Sequence, residues 1–592
     1  MSYTKSYLSD PHYGYDMVTA VTQTSVNATM MEWLSSYKGE LFTRAYVYDP
    51  STKLPVLTDY SALVKKLGFD PFTIPADTPD TDPKIKALIQ EKFMFAFQIK
   101  IGLPNFPLDK IPPIVELNQQ GSTVTYNMVC ETFKIIDLQA NMYGSSNWIN
   151  LDQSTADAPW QIQFNVDLDL IKDSVTNKFH LLPKKIQDEI KNLGENLFSV
   201  QQLYFDLNTA ALSSSFKVVG LNPTSQAFVY LSTVFLGSYV REVAKDGGIM
   251  LGFGVVSNTP FPKNVSLVPT DLNFVVSSYK DSSGKGTTDF DAYTLNYLIM
   301  ANDNTMPPAV PFAWNWVEKN NLSKFAGSVA INRNVFADFL NNLISPSLGI
   351  ITKEPTVSFH VNLIKANVTT GFKSTQGPYK YKLMPTGGSH VLSYSYTKEA
   401  SDSDTFVPNW GNYSVKYTAT SDIYLEGTQI KNVTKLNAHC HLNIDGGVTE
   451  GNWAQYTLTT HYNIGVNAQG QISVTMAQDP LKDTSEKPNP GAWAKFISLG
   501  TIDNMVSEIQ GYLKNWLSGY INNESGTIQN MLNGSNTWVF PGSKTFTFQD
   551  AEFSDHQDMI AHVLYADPTG QGVQMIKTQQ DPEPELEADF YQ

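Results

Sequence analysis

Apolar residues return at helical spacing directly after a short apolar strand at two places in this chain. The first is Asp16-Met17-Val18-Thr19-Ala20-Val21-Thr22, followed by a stretch from Ser25 to Tyr37. There Val26, Met30, Trp33, Leu34 and Tyr37 step by four, three, one and three, which places them along one helix face. Thr24 or Ser25 is the expected N-cap and Gly39 the expected stop. The second place is Gly327-Ser328-Val329-Ala330-Ile331, followed by Asn332 to Ile344. Val335, Phe336, Phe339, Leu340, Leu343 and Ile344 form its stripe, with Asn332 or Asn334 as cap.

A second helix follows each copy at a similar distance. After Leu182-Pro183 the stripe is Ile186, Ile190, Leu193 and Leu197, with proline suited to the first turn. The strongest stripe in the chain is the other: Ile502, Met505, Val506, Ile509, Tyr512, Leu513, Trp516, Leu517 and Tyr520, about five turns long. A further helix is expected over Ser225 to Ala244, and a short one over Tyr60 to Leu67 within an otherwise irregular segment from Leu41 to Lys84. Alternating apolar residues predict strands across Lys92 to Leu170, through Phe93, Phe95, Phe97 and again Phe164, Val166, Leu168, Leu170. More strands are expected at Gln201 to Leu207, Ile249 to Ser257, Ser266 to Ser278, and from Pro355 to Met476. The order strand, helix, many strands, long helix, strand occurs twice, so a duplication is expected with a boundary near residue 325. The predicted organisation is a first module over 1–325, a second over 326–580, and an acidic, disordered tail over 581–592.

Length and composition narrow this picture. A chain of 592 residues exceeds a single core. Aromatics at 12% favour sheet. A net charge of −16 argues against nucleic acid, whose phosphates need clustered Lys and Arg. Cys130 and Cys440 are too few for a disulfide framework and read as buried thiols. The first ten residues lack a basic start and an apolar core, so no signal peptide is seen. No stretch approaches the roughly 18 apolar residues of a membrane span. Synthesis in the cytoplasm is expected, with release, if it occurs, by a non-classical route.

Motifs that could carry chemistry are sparse. His439-Cys440-His441 lies in an expected strand, so both imidazoles share one face and the thiol the other. A metal there requires a third ligand such as Asp445; the alternative is a hydrogen-bonded pair. Asp167 and Asp169 occupy the polar face of a strand. Gly247-Gly248 and Gly252-Phe253-Gly254 open no helix and so lack a phosphate-binding context. Phe312, Trp314 and Trp316 alternate on one side of an extended segment, where they either anchor a loop or edge an apolar opening. No catalytic residue, metal site or cofactor is assigned.

Several segments resemble a known family. Tyr13-Gly14-Tyr15-Asp16-Met17-Val18, followed by Val26-Asn27, looks like the opening of the clostridial forty-seven-kilodalton and OrfX family encoded beside botulinum neurotoxins. Gln202-Leu203-Tyr204-Phe205-Asp206-Leu207-Asn208, Leu295-Asn296-Tyr297-Leu298, Pro311-Phe312-Ala313-Trp314-Asn315-Trp316 and Phe540-Pro541-Gly542-Ser543-Lys544-Thr545-Phe546-Thr547-Phe548 extend the likeness. The resemblance implies a TULIP (tubular lipid-binding) fold: α+β, with curved antiparallel sheets wrapped around long amphipathic helices and an apolar groove between. It implies a lipid or another elongated apolar molecule as ligand, and toxin-complex proteins as partners. The candidate groove residues are Met30, Trp33, Leu34, Phe336, Phe339, Leu340, Ile502, Met505, Ile509, Leu513 and Trp516. Three functions are compatible with these features. They are a non-enzymatic binder of apolar ligands, a ligand-free accessory component of a toxin complex, and a cyclase-like enzyme acting on a hydrophobic intermediate.

Overall fold

A computed structural model describes residues 2–36, 39–118, 121–140, 145–174, 198–205, 217–221, 229, 231, 250–257, 267, 269–301, 303–468, 470, 472–489, 499–533 and 546–565. The expected helices after Pro183 and across Ser225 to Ala244 lie outside these residues, apart from two isolated positions, as does the tail.

The two strand-into-helix copies lie side by side. Met17–Thr22 pairs antiparallel with Gly327–Ile331, with Thr19 opposite Val329. On the far side of the first copy lies Thr294–Ala301, and beyond it Pro269–Ser277. On the far side of the second lies Met559–Tyr565, and beyond it Phe546–Phe548. Each copy's first strand thus pairs with a strand from the end of its own half, and the two halves meet in one central sheet. The expected division at 325–326 falls just before Gly327–Ile331, so strands from both sides of it share this sheet.

Both faces of the central strands are covered, which is why Met17–Thr22 is buried throughout. Met17, Val21, Val329 and Ile331 join the main core. Val18, Ala20, Leu298, Ala330 and Ile560 face the other way, onto Tyr13, Tyr15, Phe312, Trp314 and Trp316. The alternating aromatics near residue 314 are therefore loop anchors, each almost wholly buried. Tyr13 Oη accepts from the Ala313 amide, and Tyr15 Oη donates to the Pro308 carbonyl at 2.7 Å. The segments Tyr13–Val18, Leu295–Leu298 and Pro311–Trp316 meet here, in a packing role.

Beyond the central sheet, each half carries its own antiparallel sheet. The N-terminal one runs in the order Met250–Ser257, Phe198–Phe205, Gln161–Ser174, Thr123–Ala140, Phe93–Ile101, Phe42–Asp49, Leu54–Thr58. The helix Tyr60–Leu67 forms as expected, capped by Asp59 and ended by Gly68 at φ 77°. The polar segment beside it holds a further helix, Pro83–Gln90, which Asp82 caps and proline opens. Its Ile85 and Leu88 pack with Leu63 over Trp148.

The C-terminal sheet is a meander: Lys382–Leu383, His390–Phe406, Asn409–Glu426, Gln429–Ile444, Gly447–Val466, Ile472–Gln478. Burial alternates along Asn409–Glu426 and Gln429–Ile444, so the inner face is apolar and the outer face is polar. A separate hairpin, Lys353–Val361 with Ala366–Ser374, packs alongside. The fold is thus β-rich, with several antiparallel sheets and helices laid against them.

Helix boundaries differ from expectation in two places. The first helix spans Gln23–Ser36, and Thr22, the last strand residue, takes the expected cap role by accepting the Ser25 amide on its Oγ1. The last helix spans Leu499–Asn533 and is far longer than its apolar stripe. The middle helix is Arg333–Ile344 with Asn332 as N-cap. Its start is fixed by Asp558, a fully buried carboxylate that accepts from the Arg333 amide at 3.0 Å, Ser6 Oγ at 2.8 Å and the Leu8 amide at 2.6 Å.

Candidate functional site

The long helix Leu499–Asn533 lies on the inner face of the C-terminal sheet. It packs against Gln429–Ile444, Gly447–Val466 and Ile472–Gln478, and against the middle helix. Ile502, Met505, Ile509, Leu513 and Leu517 are buried there, and burying each stabilises by about 1.5–3 kcal/mol. Across from them stand the inward residues Tyr413, Val415, Tyr417, Leu436, Ala438 and Trp453, all with no exposed surface.

The candidate residues separate into two places. Met30 and Leu34 are buried in the N-terminal half, where their helix contacts Val115–Glu116 and Met250–Ser257; the Trp33 side chain lies outside the described set. Phe336 and Leu340 of the middle helix are buried with the long-helix residues, and the Phe336 ring sits 5.7 Å from Phe553. Phe339 and Trp516 are only half-buried.

Trp516 belongs to an aromatic seam between the long helix and the hairpin Lys353–Val361/Ala366–Ser374. Its ring stacks on Tyr512 at 5.7 Å and meets Phe372 edge-on at 5.0 Å and Tyr417 at 5.9 Å. The Lys353 ammonium lies 5.8 Å from the Trp516 ring, within cation–π range. Tyr512 is 42% exposed. The seam is therefore a place where the apolar interior reaches the surface through aromatic side chains.

About one to two turns further along the helix, polar groups converge inside the core. Tyr520 Oη lies 2.6 Å from Tyr381 Oη, 3.0 Å from Ser421 Oγ, and accepts from Asn432 Nδ2 at 3.1 Å. Asn432 Nδ2 also donates to Glu524 Oε2 at 2.6 Å, and Tyr462 Oη donates to the same oxygen at 3.2 Å. Glu524 Oε1 has no hydrogen-bond partner among the described residues. Burial pushes the Glu524 carboxyl up to about 7, against the opposing pull of its donors. Burial likewise raises the phenols of Tyr381, Tyr462 and Tyr520. The group is a hydrogen-bonded cluster that pins helix to sheet and leaves Glu524 Oε1 over. Local pattern carries little sign of it, because its members are scattered over residues 381 to 524. Asn432 is wholly buried and committed to this cluster.

Gly247 and Gly248 lie outside the described residues; the histidine and aspartate motifs lie on strands. His439 and His441 share the outer face as alternation predicts, with Cys440 buried opposite. His439 Nδ1 is 3.2 Å from Asn452 Oδ1, and His441 Nδ1 is 3.0 Å from Glu450 Oε2. Among the described residues, no group of three His, Cys, Asp or Glu is placed to hold a metal. Burial pushes the Cys440 thiol up to about 12 and raises that of Cys130, as inert core thiols require. Asp167 Oδ1 accepts from Thr123 Oγ1 at 2.6 Å across the strand pair. No described helix is long and apolar enough to cross a membrane.

No family model matches the chain, and no curated protein matches it. Solved structures that align over most of it include the following two. P47 from Clostridium botulinum A2 has a TM-score of 0.40 at 10% identity, covering 93% of this chain and 97% of that one. A lipopolysaccharide binding protein has a TM-score of 0.27 at 10% identity, covering 93% and 99%. Both scores fall below 0.5, so neither likeness bears on what the site does; its own geometry decides that.

Proposed function

We propose that this protein is a non-enzymatic binder of a lipid or another elongated apolar molecule, built on a TULIP-like scaffold. The observation that carries the reading is the aromatic seam of Phe372, Tyr512 and Trp516, which brings the interior beside the long helix to the surface. An acyl chain entering there would lie along Ile509, Leu513 and the sheet's inner face. Each methylene removed from water contributes about 0.8 kcal/mol.

A second reading, a ligand-free accessory component, is favoured by one observation: Ile509, Leu513 and Tyr520 are already buried against sheet side chains. The two separate cleanly by experiment. The purified protein is extracted with organic solvent and the extract analysed by mass spectrometry, and a fluorescent fatty-acyl probe is titrated into the delipidated protein. Binding that weakens about tenfold or more in Trp516→Ala, with the unfolding midpoint retained, supports the ligand reading. An empty extract together with no probe binding rejects it.

A further inference from the structure

The end of the C-terminal sheet farthest from the central sheet breaks the usual composition of turns. At the near end, the Gly427 carbonyl accepts from the Phe553 amide of the central-sheet hairpin at 2.7 Å. At the far end lie three turns: Asn362 to Lys365, Val407-Pro408, and Asp445-Gly446. Hairpin tips usually carry Gly, Asn, Asp and Ser, which suit both water and tight backbone geometry. The third turn obeys that rule. The first two present Leu363, Ile364, Phe406 and Val407 outward, with Ile364 83% and Val407 81% exposed. These tips touch: Phe406 shares a notch with Asn362 to Lys365, and Asn409 Nδ2 donates to the Asn362 carbonyl at 2.8 Å. Trp410 and Val448 add exposed apolar surface on the outer face at the same end.

We propose that this apex docks onto a lipid bilayer, with Leu363, Ile364, Phe406 and Val407 entering its interfacial region. Three features select a bilayer over a protein. First, the apex is formed by adjoining hairpin ends, so it projects; a fluid bilayer closes around a projection without a matching socket. Second, the Asn362 turn satisfies several of its own backbone groups, which favours insertion because hydrocarbon offers no hydrogen bonds. Asn362 Oδ1 accepts from the amides of Ile364 and Lys365 at 2.9 and 2.8 Å, and the Asn362 amide donates to the Lys365 carbonyl at 3.0 Å. Third, the nearby carboxylates are turned back on the protein. Asp402 and Asp404 accept from the Phe359 and Val361 amides, and Asp445 accepts from the Trp410 amide. Those carboxylates, in a chain of net charge −16, leave Lys365 as the cation of the apex turn. The surface therefore fits an electrically neutral, zwitterionic bilayer, held by apolar insertion rather than by charge. Aromatic residues such as Phe406 and Trp410 suit the headgroup boundary.

Docking of the apex is independent of a ligand beside the long helix. Its test uses the full chain and phosphatidylcholine vesicles in a flotation assay. The wild type is expected to float with the vesicles and to do so equally well in about 1 M NaCl, where charge attraction is screened. The double substitution Ile364→Asp with Val407→Asp, at two highly exposed positions, is expected to weaken flotation at least about tenfold without moving the unfolding midpoint. Because Cys130 and Cys440 are buried, Ile364→Cys accepts an environment-sensitive dye selectively, and its emission should shift to the blue on adding vesicles. Three results would overturn the proposal: no flotation by the wild type, flotation unchanged by the double substitution, or flotation only with anionic lipid and lost in high salt. A dimer in sedimentation velocity that the double substitution abolishes would assign the apex to a second copy instead. Fatty-acyl probe binding in the double variant should equal that of the wild type, so failure of the apex and failure of the proposed ligand site are told apart.

Discussion

Glu524 shows how a single residue can mislead a reading of periodicity. The stripe from Ile502 to Tyr520 continues in space through Ile521, Glu524, Ser525 and Ile528, all buried. Glu524 and Ser525 are polar, so the apolar stripe read from sequence stops at Tyr520 while the helix runs on to Asn533. Their partners Asn432 and Tyr462 are 92 and 62 residues from Glu524, and no local pattern announces them. The cluster has a measurable consequence. Glu524 has an ordinary value of 4.5 and is raised to about 7 by burial. Between those values the folded protein keeps a proton that the unfolded chain has released. This group's contribution to stability is therefore full below about pH 4.5 and is lost as pH rises through about 7, a decline of roughly 3 kcal/mol. Glu524→Gln should remove that part of the decline, while Asp558, raised from 3.8 to about 6, keeps its own share at lower pH. Urea unfolding of both proteins across pH 5 to 8 checks this; parallel curves would refute the assignment.

At the scale of elements, the paired strands Met17–Thr22 and Gly327–Ile331 were legible because each is a short apolar run ending at a polar cap. Their adjacency was not, since strand pairing across 300 or so residues leaves no periodic mark. Gly327 reveals how tight that pairing is. A Cβ there would lie 2.1 Å from the Ala20 carbonyl oxygen, a backbone atom that cannot swing aside. Gly327→Ala should cost about 2–4 kcal/mol and lower the unfolding midpoint, measurable by differential scanning calorimetry. A midpoint equal to the wild type would mean that the strands stand farther apart. The same limit separates two of the sequence motifs. Alternation alone placed His439 and His441 opposite Cys440. It could not say that Phe312, Trp314 and Trp316 fold inward, because that depends on Tyr13 and Tyr15 arriving from the other end of the half.

For the whole molecule, the shared central sheet makes the halves interdependent. Residues 326–565 alone would lose the Met17–Thr22 partner strand and the Ser6 and Leu8 donors to buried Asp558. Expressed separately, the two halves should be insoluble or unfolded; co-expressed, they should co-purify. A soluble, cooperatively unfolding C-terminal half would contradict this. The β-rich class, the repeated strand-into-helix unit and the burial of most of the long-helix stripe could be read from the order of residues, because each depends on neighbours a few positions away. The pairing of the two copies in one sheet, the burial of Glu524 among phenols, the meeting of Phe372 with Trp516 in a seam and the joining of two hairpin tips into an apolar apex emerge only once the chain is folded. Those features arise from contacts between distant segments, where the energy lies in packing and desolvation rather than in local pattern.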